Sequence, residues 1–137
     1  SDDRLIELGG FENLRRLSVA AGGEHVAFLL PFQARPEDSG VYLLATREGA
    51  KAQKLPFVGS FRWQDSENLL YLPYLSPTPA LHRYNIKSGR DVRLRGDATL
   101  LRIANDEWSV APNGEQLVLR SAADGALWLL KLIDGTF

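Results

Sequence analysis

Apolar residues in this chain come in short runs broken by polar turns, and the breaks recur. Leu17-Ser18-Val19-Ala20 is followed by Ala21-Gly22-Gly23-Glu24 and then by the apolar run His25–Leu30. Phe61-Arg62-Trp63-Gln64 is followed by Asp65-Ser66-Glu67 and the run Asn68–Tyr74. Trp108-Ser109-Val110-Ala111 is followed by Pro112-Asn113-Gly114-Glu115 and the run Gln116–Ser121. Each copy continues with another short run and a glycine turn, at Arg47-Glu48-Gly49, Lys87-Ser88-Gly89 and Ile133-Asp134-Gly135. Runs of this length between Asn-Gly, Asp-Gly and Ser-Gly pairs are a strand-and-hairpin pattern, because glycine reaches the positive φ of a tight turn without steric cost. No window sustains a helical period. Phe11–Leu17 has at most one or two turns of one and follows Gly9-Gly10, so an irregular linker is expected there.

The predicted strands are 14–20, 25–30, 41–46 and 51–55 in the first copy, and 60–64, 68–74, 81–86 and 91–95 in the second. The third has 107–111, 116–121 and 126–132. The proline-bearing stretches 31–39 and 73–79 are loops between second and third strands. Four short strands repeating every 40–50 residues or so are the pattern of β-propeller blades. The fold expected is therefore all-β, with three four-stranded blades at about 12–56, 57–96 and 97–137.

The stretch Trp108–Leu119 carries a more specific signal. An aromatic residue, a Ser-Pro-Asp-Gly-like turn and an apolar strand make it resemble the TolB-type propeller repeat, and Leu81–Arg90 and Leu127–Thr136 resemble that repeat's third strand and glycine turn. The likeness covers nearly the whole chain. The second copy departs from it, since Trp63-Gln64-Asp65-Ser66-Glu67 has neither Pro nor Gly and is a residue short, and the first has Ala21-Gly22-Gly23 in place of Pro-Asn-Gly. The resemblance implies a non-catalytic module that binds proteins or ligands. It also implies an alternative, because similar propellers cap serine peptidases of the prolyl-oligopeptidase type, whose hydrolase domain would lie outside this chain.

Three blades are too few to close a ring, and Phe137 falls where the third blade's fourth strand would begin. Arg4-Leu5-Ile6-Glu7-Leu8 has the length and pattern of such a strand, as in Asp91-Val92-Arg93-Leu94-Arg95. In a six-bladed ring the blade preceding the first is the third of the other half. The expectation is a homodimer forming a six-bladed ring, with residues 4–8 of one copy completing the third blade of the other; the competing expectation is a piece of a longer propeller.

Composition narrows the chemistry. The 137 residues carry 16 Lys+Arg against 17 Asp+Glu, a formal net charge of −1. That balance gives no electrostatic reason to expect nucleic acid or an anionic membrane surface as partner. The apolar runs fall far short of the ~20 residues of a membrane helix. Without cysteine there is no disulfide, thiolate metal site or cysteine nucleophile, and the compartment stays open between cytoplasm and periplasm. The two histidines, His25 and His82, show no ligand spacing, which argues against a channel-mouth metalloenzyme of the lyase or lactonase kind. No nucleophile elbow, phosphate-binding loop or calcium loop occurs, so no catalytic residue, metal or cofactor is expected. Trp63, Trp108 and Trp128 are expected to fill the wedges between blades, Trp128 most centrally. A binding site, if the module has one, is expected at the mouth of the central channel. Its rim would hold Arg15, Arg16, Phe61, Arg62, Asn105, Asp106 and Glu107, an arginine-rich edge suited to carboxylates on a peptide partner.

Overall fold

A computed structural model describes residues 3–77, 79–96 and 102–132, apart from the side chains at 95, 96, 104 and 105. Eleven strands form three antiparallel sheets among these residues, with one short 3-10 turn at Pro36–Asp38 and no α-helix. Among the described residues no helix is long and apolar enough to cross a membrane. The first sheet runs β1 (Arg15–Val19), β2 (His25–Leu30), β3 (Gly40–Ala45) and β4 (Gln53–Lys54). The second runs β5 (Gly59–Trp63), β6 (Asn68–Pro73), β7 (Ala80–Asn85) and β8 (Asp91–Gly96), and the third β9 (Ile103–Val110), β10 (Gln116–Ser121) and β11 (Leu127–Lys131). Each sheet is a meander whose strands lie in chain order. The chain divides into two compact units, Ser1–Val58 with the first sheet and Gly59–Phe137 with the other two.

The repeat has a backbone counterpart. The carbonyls of Glu24, Glu67 and Glu115 accept hydrogen bonds from the amides of Thr46, Ile86 and Leu132 at 3.0, 2.8 and 2.8 Å. Each bond ties the first turn of a sheet to the end of its third strand. The three glutamates thus hold equivalent places because the same hairpin is built three times. In the first and third copies a glycine at positive φ closes the turn, with Gly23 N–H donating to the Ala20 carbonyl and Gly114 N–H to the Ala111 carbonyl. The second copy turns without glycine. Asp65 Oδ1 accepts from the amides of Glu67 and Asn68, both at 2.8 Å, so a side chain supplies the acceptor. One residue fewer is then enough.

In the first unit Val26, Phe28, Leu30, Tyr42 and Leu44 make one apolar face of the sheet, and Leu8, Phe11 and Leu14 pack against it. The Phe11 and Phe28 rings lie 4.9 Å apart. Residues 4–8 belong to no sheet of their own chain.

In the second unit alternation in β6 sends Leu70 and Leu72 to one face and Leu69 and Tyr71 to the other, and all four are buried. The core joins Leu70, Leu72, Leu81 and Leu94 of the second sheet to Trp108, Leu117, Leu119 and Leu132. Trp108 is buried, as expected of a residue filling the space between sheets. Trp128 is not central: it is 44% exposed. It stands on β11, which among the described residues is the edge of a three-stranded sheet with no further strand beside it.

β9 begins at Ile103, four residues before the strand predicted at 107–111. Its pairing with β10 shifts between the Leu119↔Trp108 and Ser121↔Ile103 pairs, and Asp106 has φ of 59° there. Asn105-Asp106-Glu107 therefore forms a bulge inside a strand, and a run of polar residues at a bulge has the composition of a linker.

Candidate functional site

β5 and β9 are held together by one polar cluster. Ser60 and Arg62 project from β5, and Asp106 and Trp108 from β9. Trp108 Nε1–H donates to Ser60 Oγ at 2.7 Å, and the Ser60 hydroxyl donates to Asp106 Oδ1. Arg62 donates from Nε to the Trp108 carbonyl at 3.1 Å, from Nη2 to the Asp106 carbonyl at 2.9 Å and from Nη1 to the Phe61 carbonyl at 2.8 Å. Its Nη2 lies 3.5 Å from Asp106 Oδ2, and its guanidinium carbon 4.8 Å from the centre of the Trp108 ring. The bulge at Asp106 is what turns both its carbonyl and its carboxylate toward Arg62.

The expected rim residues thus have different settings. Arg62 and Asp106 come together, but as partly buried partners that spend their hydrogen bonds on each other and on backbone. Phe61 is buried in β5. Glu107 is exposed, 3.7 Å from Arg120 Nη1. The side chain of Asn105 lies outside the described residues. Arg15 and Arg16 stand exposed on β1 of the other unit, Arg16 at a φ of 60° where the pairing with β2 shifts.

A second polar cluster escaped sequence reasoning. Asp91 on β8 accepts a hydrogen bond from the Tyr71 hydroxyl and faces His82 Nδ1 at 3.1 Å. The Tyr71 and His82 rings stack at 4.9 Å. Burial, reinforced by the Asp91 carboxylate, pushes the Tyr71 hydroxyl well above the ordinary tyrosine range. Because the folded state favours the protonated phenol, its contribution is fully present below about pH 10 and is lost as pH rises above that. Thermal melts should therefore show Tm falling above about pH 10, with a weaker fall in Tyr71→Phe. Cross-strand pairing of β7 with β8 around the Ser88-Gly89 turn was the signal that could have placed His82 near Asp91. Among the described residues no group of three or more His, Asp or Glu side chains is placed to hold a metal ion.

The third sheet offers the largest apolar exposure. Leu117 and Leu119 on β10 point into the core, and Leu130, paired with Leu117, packs against it. The alternate residues point away. Val118 is 41% exposed, and Leu129, paired with it, is 54% exposed. Leu127, on the same face as Leu129, is 73% exposed. The second sheet of this unit is buried on both faces, whereas the third is buried on one. This outer face, together with the edge of β11 that no strand pairs among the described residues, is a surface suited to another sheet or strand. No family model matches the chain, and no curated protein matches it.

Proposed function

We propose that this chain is a non-catalytic protein-interaction module of the β-propeller kind, resembling TolB-type repeats, in which three blades form half of a six-bladed ring and a second copy supplies the other half. Three meander sheets in chain order suit successive blades. The observation that carries the reading is the outer face of the third sheet, where Val118, Leu127 and Leu129 stand in solvent. Burying a Val or Leu side chain is worth about 1.5–3 kcal/mol, so three such residues on one flat face are a strong drive to associate. A polar cluster that is already internally satisfied, such as Arg62–Asp106, adds rigidity to the sheets that present this face.

Changing Val118 and Leu129 together to lysine tests it. Both side chains already face solvent, so the variant should keep its β-sheet circular dichroism. In sedimentation velocity it should run as a 15.2 kDa species under conditions where the parent runs at twice that mass. Identical sedimentation of parent and variant would refute the reading.

A further inference from the structure

The second copy has to meet an edge as well as a face. The Ala126 carbonyl and the Leu132 amide of the β11 hairpin bond to β10, to the Ser121 amide at 2.9 Å and the Glu115 carbonyl at 2.8 Å. Alternation along an antiparallel strand then turns the amides and carbonyls of Leu127, Leu129 and Lys131 outward, to the free edge. β11 pairs with β10 in unbroken register, has no proline and carries one charge, Lys131. Lys131 is thus its one guard against edge pairing, with neither a proline nor a bulge beside it. The first two sheets each hold a fourth strand, and the third holds three among the described residues.

The same chain carries a matching free segment. Leu8 is anchored on the Phe28, Leu30 and Leu44 cluster, while Leu5 is fully exposed and Ile6 is 46% exposed. Asp3–Glu7 has five residues, as does β11. We infer that residues 3–7 of one copy add as an antiparallel fourth strand to β11 of a second copy, reciprocally, with Asp3 opposite Lys131, Leu5 opposite Leu129 and Ile6 opposite Trp128. This rests on the ring reading above, in which the first blade of one copy follows the third blade of the other. Charge and side-chain alternation select the register. It pairs Asp3 with Lys131, turns Ile6 to the core side opposite Trp128 and sets Arg4 opposite Leu130 near the strand's end, while Leu8 stays on its own chain's cluster. A slip of one residue sets Arg4 against Lys131, like against like, and puts Glu7 in place of Ile6 against Trp128.

Residue-resolved hydrogen exchange on the full chain reads the edge directly. The amides of Leu127, Leu129 and Lys131 should exchange about 100-fold or more slowly than an open edge allows. Leu5→Pro removes a donor that this register uses, at a position outside every sheet of its own chain, so folding should survive by circular dichroism. Protection at the three amides and the dimer should both be lost. Asp3→Lys should weaken the dimer, and adding Lys131→Asp should restore it. Rapid exchange at the three amides in the parent protein would overturn the inference, as would protection in a species of monomer mass. If Leu5→Pro leaves the dimer intact while the Val118→Lys/Leu129→Lys variant dissolves it, strand addition is wrong and the face-to-face association stands.

Discussion

Trp108→Ala should destabilise the second unit by about 3–5 kcal/mol, the range for removing a large buried aromatic. The side chain is 5% exposed and packs in the core shared by the two sheets. Its loss leaves a void between Leu70 and Leu72 on one side and Leu117 and Leu119 on the other. It also strips the Ser60 hydroxyl of a donor at 2.7 Å and leaves Arg62 without the ring it lies over. Trp108→Phe separates the two contributions. It keeps most of the packing and loses the hydrogen bond, for about 1–2 kcal/mol. Urea unfolding followed by circular dichroism should order the midpoints parent, then Phe, then Ala. An alanine variant within 1 kcal/mol of the parent would mean that the core between the sheets is not where the structure puts it.

Gly114→Ala should be nearly as severe, by about 2–5 kcal/mol, and its counterpart in the first repeat supplies the control. Gly114 has φ of +72°, where an alanine costs about 1–2 kcal/mol. A Cβ there would also stand 2.6 Å from the Gln64 carbonyl oxygen and 3.3 Å from Gln64 Cγ, so backbone must move, for a further 1–3 kcal/mol or so. The close approach is specific. Gln64 Nε2 donates to the Gly114 carbonyl at 3.0 Å, and Gln64 Oε1 accepts from Arg83 Nε at 2.9 Å, so one amide bridges the third sheet's turn and strand β7 of the second sheet. Gly23 closes the equivalent turn at φ of +74° with open space around it. Gly23→Ala should therefore cost only the conformational part. Equal losses for the two alanine variants in thermal melts would contradict the packing of Gln64 on the third sheet's turn.

Much of the fold was legible in the chain because turns are local. Gly23, Gly89 and Gly114 announce positive φ by their chemistry, and the strands between them fall close to the predicted spans. The turn glutamates recur at one place in each copy, and although the Glu67 carboxylate pairs with Lys87, side-chain contacts do not define that place. What they share is a backbone carbonyl aimed at the end of a third strand, a place defined by hairpin geometry. Asp65 shows why the second copy looked irregular: its carboxylate replaces the glycine turn, and such a substitution changes the motif while preserving the bend.

Nonlocal features were harder to read. Arg62 and Asp106 are 44 residues apart in sequence, and only the meeting of β5 with β9 makes them partners. Read as isolated charges, they suggested an open rim. The bulge that brings Asp106 inward leaves no hydrophobic signature, so β9 looked shorter than it is. Trp128 misled for a related reason. Its alternation with leucines is that of a strand with one buried side, yet burial depends on whether a neighbouring strand covers it, and β11 is an edge. The same fact exposes Val118 and Leu129. Sequence pattern identified them as strand residues, but whether their face is core or surface is decided by what packs on the third sheet.

Sedimentation equilibrium of the purified chain at micromolar concentration tests the half-ring most directly. The mass should be twice 15.2 kDa. A stable species of 15.2 kDa, with Val118, Leu127 and Leu129 open to solvent, would contradict it.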